Sequence, residues 1–347
     1  MPAERTSILI IYTGGTIGMR EDPKTRTLSP MKFEFIQEEI PELNKLGYQI
    51  DSITFNPPID SSNVTPAIWV KLAKTIQKNY NNYDGFVILH GTDTMAYSAS
   101  ALSYMLEKLE KPVIMTGAQL PIGVLRTDGK ENLITAVQIA AARKDGRALV
   151  PEVCIYFSSY LFRGNRATKQ DSQQFSAFMS HHYPPLAVAG VDIKYNFEKI
   201  YYQENTGQFN INTAIDDNVI ILKLFPGLNR HYFESLLSLP EIKGIVLESF
   251  GSGNMPTFPW LLDSIREASR SGKILLNVSQ CPGGRVKMGF YQTSAELAEA
   301  GVVSGNDITS EAAVTKLMFL LGQNMSLEDT KICLQRNLKG EIDDQNQ

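Results

Sequence analysis

Two stretches of sequence decide the fold of this chain: ILIIYTGGT at residues 8–16 and FVILHGTDT at residues 86–94. Each begins with a short apolar run, as a buried parallel strand does, and ends abruptly in glycine and threonine. Ligands of an open α/β sheet bind outside the carboxyl ends of its strands. Two strand ends with hydroxyl side chains, one of them beside a carboxylate, therefore predict a reaction site built on threonine.

The same kind of apolar run recurs along the chain. Five more runs predict strands at residues 113–116, 153–158, 219–225, 244–249 and 274–279. Amphipathic stretches between the runs predict helices, among them 66–76, 95–109, 132–143 and 258–270. Alternation of strand and helix is typical of a doubly wound parallel sheet, so we predict the α/β fold class.

Length and composition predict two domains. The chain has 347 residues, 43% of them hydrophobic, and this length exceeds the size at which a single core usually stops growing. A polar, turn-rich stretch around residues 190–215 interrupts the pattern. We therefore predict a larger N-terminal domain at 1–200 that carries the threonine site, a linker at 201–214 and a smaller C-terminal α/β domain at 215–347. The polar tail from Gly340 to Gln347 is expected to fray.

Charge and cysteine content argue against several classes of protein. A net charge of −4 without a cluster of lysine and arginine argues against a nucleic-acid partner. No apolar run reaches the ~20 residues of a membrane span, and the first residues do not resemble a secretory signal. Three widely spaced cysteines fit neither a disulfide framework nor a zinc site, so we expect a cytoplasmic protein.

The TGGT turn at residues 13–16 favours a close approach of the backbone to a ligand, because glycine permits sharp turns. It lacks the GxxxxGK[ST] and GxGxxG spacings of phosphate-binding loops. Thr16 is therefore a candidate nucleophile. The alternative is a tight turn with a capping threonine, and the local residues do not separate the two interpretations.

Two further segments offer catalytic groups. In HGTDTM at residues 90–95, Asp93 could hold an ammonium group or orient a base, or it could cap the following helix. His90 has no visible partner, so we expect it to be structural. In RGNRATK at residues 163–169, Lys169 is a candidate base with cations nearby at Arg163 and Arg166.

Taken in order, the motifs resemble those of the bacterial-type L-asparaginases. They are TGGTIGM at 13–19, HGTDTM at 90–95, TGAQ at 116–119, RGNRATK at 163–169 and GSGN at 251–254. A single TGGT motif would be weak evidence for this family, but the ordered set of motifs that includes HGTDTM is highly specific for it. The resemblance runs from about residue 8 to about residue 322 and is strongest to the cytoplasmic type I branch.

This resemblance implies hydrolysis of L-asparagine to L-aspartate and ammonia without a metal or an organic cofactor. It implies a larger N-terminal and a smaller C-terminal α/β domain, with active sites at the subunit interface of a homodimer or homotetramer. Thr16 matches the family's nucleophile, and the second catalytic triad is matched by Thr92, Asp93 and Lys169. Matching substrate-binding positions are Asp60 and Ser61 for the α-carboxylate, Asp93 for the α-amino group, Gly91, Ala118, and Asn254 from the neighbouring subunit.

One position departs from the family pattern. Members often carry a tyrosine about ten residues after TGGT, but residues 22–30 contain none. Some type I-like members place a tyrosine in the C-terminal domain instead, and Tyr291 is at a fitting position. The alternative is that Tyr291 is a core or interface aromatic. Type I relatives can be allosteric through a second substrate site, and Cys281 occupies that place in this sequence.

Three other functions stay open. One is an amidohydrolase that also cleaves glutamine, since one methylene in a pocket is worth only ~1–3 kcal/mol. Another is an amidotransferase subunit that makes ammonia for tRNA-bound substrates. Such a subunit would need an extra domain before the strand at Ile8. The third is a non-catalytic amino-acid sensor, although a sensor needs neither Thr16 as a nucleophile nor Lys169 as a base.

Overall fold

A computed structural model describes residues 5–21, 28–30, 33–202, 207–289 and 292–343. These residues divide into two units with a boundary between Thr213 and Ala214. The first unit is built around an eight-stranded sheet and the second around a four-stranded one. Helices pack on both sheets, which confirms the predicted α/β class.

The large sheet is mostly parallel. Its strands, numbered in chain order, are β1 (Ser7–Gly14), β2 (Gln49–Ile59), β3 (Gly85–Leu89), β4 (Val113–Thr116), β5 (Val153–Phe157), β6 (Tyr160–Arg163), β7 (Ala187–Ala189) and β8 (Ile193–Tyr195). They lie in the order β8-β7-β6-β5-β4-β3-β1-β2. The first five strands run parallel to one another, and β6, β7 and β8 extend the sheet in antiparallel fashion.

The strand order creates a topological switch point. Strands β2 and β3 flank β1 on opposite sides. The chain passes from β1 to β2 on one side and then crosses to β3 on the other, so the strand order reverses between β1 and β3. Crossovers that diverge in this way leave a crevice at the carboxyl ends of the two strands. The turns that follow β1 and β3 are TGGT and HGTDT, so the topology places both threonine-bearing stretches at the crevice.

The helices described in the first unit are α1 (Phe33–Glu39), α2 (Pro66–Asn79), α3 (Met95–Met105) and α4 (Gly129–Ala141). Short 3-10 turns cover Thr16–Gly18, Pro41–Leu46, Ser61–Asn63 and Gly164–Arg166. Four two-residue or three-residue ladders complete the unit: Met19–Glu21 with Leu28–Pro30, Leu106–Glu107 with Asn210–Ile211, Arg143–Lys144 with Arg147–Ala148, and Thr168–Lys169 with Phe178–Met179. Because residues 106–107 join a ladder, α3 ends at Met105 and not at the predicted Leu109.

Burial on both faces explains the continuous apolar sequence of β1. Ile8, Ile10 and Tyr12 belong to one core with residues of α4. The alternate residues Leu9 and Ile11 are also buried, at 1% and 0% exposure. Successive side chains of a strand point to opposite faces, so a strand that helices cover on both sides needs apolar residues throughout.

The second unit contains a fully parallel sheet. Its strands lie in the order β9 (Val219–Lys223), β10 (Gly244–Ser249), β11 (Ile274–Ser279) and β12 (Val303–Ser304). Its helices are α5 (Arg230–Ser238), α6 (Pro259–Arg270), α7 (Gln292–Glu299), α8 (Ser310–Leu321) and α9 (Leu327–Gln335). All seven strands predicted from apolar runs are therefore present in the two units.

The end of the described chain corrects the prediction of a frayed tail. Residues 340–342 are buried, and the Glu341 carboxylate lies 2.6 Å from Lys316 Nζ with both side chains 0% exposed. Burial alone would raise the pKa of Glu341, but the Lys316 ammonium and nearby backbone N–H groups hold it below its ordinary value. The tail is therefore locked by a buried ion pair, while residues 344–347 lie outside the described residues.

Breaking this ion pair is expected to destabilise the protein strongly. Lys316→Met keeps most of the side-chain volume but leaves the Glu341 carboxylate buried without its cation, at a cost of about 3–5 kcal/mol. Denaturant unfolding measures the change in the free energy of unfolding. A matched control is Lys243→Met, which breaks the pair with Asp216 where the lysine side chain is 56% exposed, and should cost about 1 kcal/mol or less. Equal losses in the two variants would contradict the expectation.

Among the described residues, none of the helices combines the length and the apolar character that crossing a bilayer would need.

Candidate active site

The turns that follow β1 and β3 pack directly against each other. Gly15 has a φ of +89°, and a Cβ built on it would lie 2.5 Å from the backbone nitrogen of Gly91. Only glycine tolerates both this backbone conformation and this approach. The glycines of the two motifs therefore bring the turn that carries Thr16 into contact with the turn that carries Thr92.

The two hydroxyl groups of the TGGT turn have different environments. Thr13 is buried, and its hydroxyl donates to the Leu89 carbonyl at 2.8 Å, which ties the end of β1 to the end of β3. Thr16 is half-buried and begins the 3-10 turn Thr16–Gly18. Thr13 therefore has a structural role, and Thr16 is the candidate nucleophile of this turn.

Lys169 joins Thr92 and Asp93 in one hydrogen-bonded cluster. Its Nζ donates to Thr92 Oγ1 at 2.8 Å and to Asp93 Oδ1 at 2.7 Å. The Lys169 side chain is 16% exposed, whereas that of Asp93 is 64% exposed. The structure thus brings Lys169 of the RGNRATK motif to Thr92 and Asp93 of the HGTDTM motif, with the lysine inside and the carboxylate at the solvent edge.

The segment before Lys169 is held by a buried ion pair. Arg163 Nε donates to Glu152 Oε2 at 2.6 Å, and both side chains are at most 5% exposed. Burial alone would lower the pKa of Arg163, but the Glu152 carboxylate raises it above its usual range. Arg163 is therefore paired with Glu152, which removes it as the cation expected to act on Lys169. Arg166 is buried too, 5.3 Å from the ring centre of Tyr183.

The turn at Asp60 and Ser61 meets the same crevice. A Cβ built on Gly91 would lie 2.5 Å from Ser61 Oγ, so this hydroxyl packs against the turn that carries Thr92. The Ser61 carbonyl accepts a hydrogen bond from the Thr94 hydroxyl at 2.7 Å. Asp60 is exposed and caps the Ser61–Asn63 turn by accepting from the Ser62 amide at 3.0 Å. Ser61 thus lies beside Gly91, and Asp60 stands at the exposed start of the same turn.

The loop after β4 contacts both threonine turns through Gln119 and Ile122, and of this loop the TGAQ motif predicts only Ala118 as a site residue. Ala118 is 2% exposed, and Gln119 Oε1 lies 3.4 Å from Thr92 Oγ1. The amide of Ile122 donates to the Ile17 carbonyl at 3.2 Å, beside Thr16.

Asp128 shapes this loop. Its carboxylate accepts from the backbone amides of Gln119 at 3.0 Å and Leu120 at 3.1 Å. An aspartate directly before a helix is normally predicted to be its N-cap. Asp128 makes no such side-chain hydrogen bond to the helix that follows it. Its role in the loop could not be read from the local pattern.

His90 is structural, and its hydrogen-bond partners fix its tautomer. Nδ1 lies 2.7 Å from the Gly91 carbonyl, which can only accept, so Nδ1 carries the hydrogen. Nε2 lies 3.0 Å from Ser98 Oγ, which in turn accepts from the Trp69 indole N–H at 3.0 Å. Burial lowers the pKa of His90 to about 4, so the ring is neutral. It anchors the peptide that links Gly91 to Thr92.

The buried neutral histidine makes stability fall in mild acid. The pKa of His90 drops from an ordinary 6.5 to about 4 on folding, so the unfolded chain binds the proton first. The stabilisation of the folded state by the neutral His90 ring is complete above pH 6.5 and is lost as the pH falls towards 4. The free energy of unfolding should decrease by roughly 2 kcal/mol between pH 7 and pH 5. Denaturant unfolding at both pH values should show this loss reduced in His90→Gln. The exposed His231, changed to Gln, should leave the loss unchanged, and equal losses in wild type and His90→Gln would contradict the assignment.

Two of the predicted site residues lie beyond the first unit. Asn254 belongs to the second unit, where its backbone closes a tight turn with Phe250 through bonds of 2.8 and 2.9 Å. Asn277 supports this turn, because its amide donates to the Gly253 carbonyl at 3.1 Å. Tyr291 lies outside the described residues.

The sequence matches two family models in succession. Residues 7–201 match the model described as Asparaginase, N-terminal. Residues 218–334 match the model of the Glutaminase/Asparaginase C-terminal domain.

Individual relatives cover nearly all of the chain. It is 41% identical over 359 residues to the 60 kDa lysophospholipase of Mus musculus, in an alignment of 96% of this chain and 62% of the relative. The chain thus spans less than two thirds of that relative's length. It is 40% identical over 348 residues to L-asparaginase 1 of Escherichia coli (strain K12), with 98% of each chain covered.

The fold is similar to that of a crystal structure with a related sequence. The structure of L-asparaginase I from Vibrio cholerae O1 biovar eltor str. N16961 has a TM-score of 0.89 and 40% sequence identity, with 98% of this chain and 99% of that chain covered. The matching motifs, fold and full-length relatives lead to one assignment: this chain belongs to the asparaginase family.

Proposed function

We propose that this chain is an L-asparaginase, which hydrolyses the side-chain amide of L-asparagine to L-aspartate and ammonia. The observation that carries the proposal is the cluster in which Lys169 Nζ lies within 2.8 Å of Thr92 Oγ1 and Asp93 Oδ1, beside the turn of Thr16. Amide hydrolysis needs a nucleophile, a proton carrier and donors for the oxyanion, and this crevice offers all three. The names of the bacterial relatives point to the same substrate.

In the mechanism we propose, Thr16 attacks the side-chain carbonyl carbon of asparagine. The hydroxyl proton passes through Thr92 to Lys169 Nζ and then to the leaving nitrogen, which departs as ammonia. Water next attacks the β-aspartyl ester, and the proton it loses returns to Thr16 as aspartate leaves. Backbone N–H groups of the Gly91–Thr92 turn would stabilise the oxyanion in both steps, and losing one such donor typically costs about 10²–10³ in rate.

The two charged ends of the substrate need different kinds of partner. Asp93 would hold the α-amino group, because its carboxylate is exposed at the mouth of the cluster. The turn of Asp60 and Ser61 would hold the α-carboxylate through polar hydrogen atoms rather than through charge. Gly91 and Ala118 would line the pocket, and Asn254 from a neighbouring subunit and Tyr291 would complete it.

The assembly and location of the protein belong to the same proposal. A site that takes Asn254 from a second copy requires at least two chains, so we propose a homodimer or a homotetramer. The three cysteines form no disulfide in the described residues, and a reducing cytoplasm suits them. Allosteric control through the region of Cys281 remains a proposal taken from the family resemblance.

Ammonia release from asparagine and from glutamine, measured over a range of concentrations, tests the function. We expect turnover of asparagine with a clear preference over glutamine. Comparable rates on both amides would favour the broader glutaminase-asparaginase. Tight binding of asparagine in a titration, without any ammonia, would favour the sensor and overturn the proposal.

A further inference from the structure

We infer that Gln119 is a positioning residue, which accepts the hydrogen of the Thr92 hydroxyl and so stabilises the state in which Lys169 holds the relayed proton. The inference rests on the proposed function and adds a residue to it. Gln119 ends the TGAQ motif and is half-buried. Its side chain lies between Thr92 and the segment that follows Lys169.

The Gln119 amide has one orientation that satisfies its neighbours. Nε2 lies 3.0 Å from the carbonyl oxygen of Gln174. A carbonyl oxygen only accepts hydrogen bonds, so the NH₂ group faces Gln174 and the oxygen Oε1 faces away from it. Oε1 lies 3.4 Å from Thr92 Oγ1. An amide oxygen also only accepts, so Thr92 is the donor in this contact.

The hydrogen bonds around Thr92 therefore run in one direction. Lys169 donates to Thr92 at 2.8 Å, Thr92 donates to Gln119, and Gln119 donates to Gln174. In this arrangement Lys169 Nζ donates one of its own hydrogens to Thr92 Oγ1, and the Thr92 hydrogen points away from it. Without Gln119, the same state would leave that hydrogen unbonded in a residue that is 8% exposed.

This arrangement matches the state that follows the proton relay. In the relay, Thr92 gives its hydrogen to Lys169 Nζ and receives the hydrogen of the attacking hydroxyl on Oγ1. Thr92 stays neutral and Lys169 becomes an ammonium group. The ammonium then donates to Thr92 Oγ1, so the newly received hydrogen needs another acceptor, and Gln119 Oε1 is placed to be that acceptor. The bond is long at 3.4 Å, so its effect is modest.

Steady-state ammonia release by three variants and the wild type tests the inference. Gln119→Met has a similar shape without an acceptor and should lower kcat about three- to tenfold with KM within about twofold, as the loss of one ordinary hydrogen bond predicts. Gln119→Glu keeps an oxygen acceptor but cannot donate to the Gln174 carbonyl, so it should retain more of kcat than Gln119→Met. Gln173→Met, at an exposed neighbouring position, is the matched control and should behave as wild type. The inference would be overturned by a wild-type kcat in Gln119→Met, or by equal losses of kcat in Gln119→Met and Gln119→Glu.

Neutron diffraction from deuterated crystals tests the same assignment without any turnover. A Gln119 amide whose ND₂ group faces Gln174 and whose oxygen faces the Thr92 hydroxyl supports the inference. An ND₂ group that faces Thr92 would leave the Thr92 hydrogen without this acceptor and overturns it. An inactive wild type would overturn the proposed function alone, because the neutron result still decides the role of Gln119.

Discussion

Replacing Thr16 with alanine should lower kcat for asparagine hydrolysis by at least about 10³-fold, because the change removes the oxygen that forms the acyl-enzyme. The other hydroxyl of the same turn does not replace it, since the Thr13 hydroxyl is bonded to the Leu89 carbonyl. Binding and oxyanion donors remain, so a small residual rate above the uncatalysed reaction is expected.

The fold should survive this substitution. Main-chain hydrogen bonds hold the turn, from the Gly18 amide to the Gly15 carbonyl and from the Ile122 amide to the Ile17 carbonyl, each at 3.2 Å. Alanine leaves these bonds unchanged and adds no bulk. A loss of activity with an unchanged unfolding midpoint therefore separates chemistry from misfolding.

The measurement is ammonia release at saturating asparagine. Thr16→Ser keeps a hydroxyl group and should recover a substantial part of the rate. Thr75→Ala, on the first-unit helix α2, removes a hydroxyl that donates to the Lys71 carbonyl of the same helix and is the matched control. If Thr16→Ala retains near-full turnover, the nucleophile has been assigned to the wrong residue.

Lys169→Met should lower kcat by about 10²–10⁴-fold, the usual contribution of general acid–base catalysis. Methionine fills similar space but can neither take a proton from Thr92 nor return one to the leaving nitrogen. Asp93 loses its partner at little cost, because its side chain is 64% exposed and water can solvate it. Stability should therefore change much less than activity.

Lys130→Met is the matched control for this substitution. Lys130 pairs with Glu42 at 2.6 Å, but its side chain is 39% exposed, so its loss should affect neither activity nor stability by much. The double variant Thr16→Ala with Lys169→Met adds a sharper test. Residues that act in one relay are not additive, so the double variant should be about as slow as Thr16→Ala alone. A loss of kcat in the double variant equal to the product of the two single losses would indicate that Thr16 and Lys169 act independently.

The strands were predictable where the sheet buries them on both faces. A parallel strand covered by helices needs consecutive apolar residues, and this holds for six of the seven strands that were predicted. The seventh, β9, is an edge strand whose residues are exposed or half-buried, and its apolar sequence alone located it. The edge strand β2, Gln49–Ile59, was missed because most of its residues are exposed or half-buried and because it contains Pro57 and Pro58. Proline is tolerated at an edge, where one side of the backbone has no partner strand.

The buried ion pairs were not predictable from local patterns. Glu152 and Arg163 appear in the sequence as ordinary charged residues, and so do Lys316 and Glu341. In the fold each pair is almost completely excluded from solvent. Periodicity reports which residues are apolar, but it does not report which charges will be buried together.

The amino-acid sequence by itself determined the alternation of strands and helices, the family motifs and the candidate residues Thr16, Thr92, Asp93 and Lys169. These features depend on residues that are neighbours in the chain. Only the tertiary structure decided that Lys169 bonds Thr92 across 77 positions, that Gly15 touches Gly91, and that Gln119 faces Thr92. The physical reason is that such contacts depend on strand order and on the direction of each side chain, which the packing of distant segments determines.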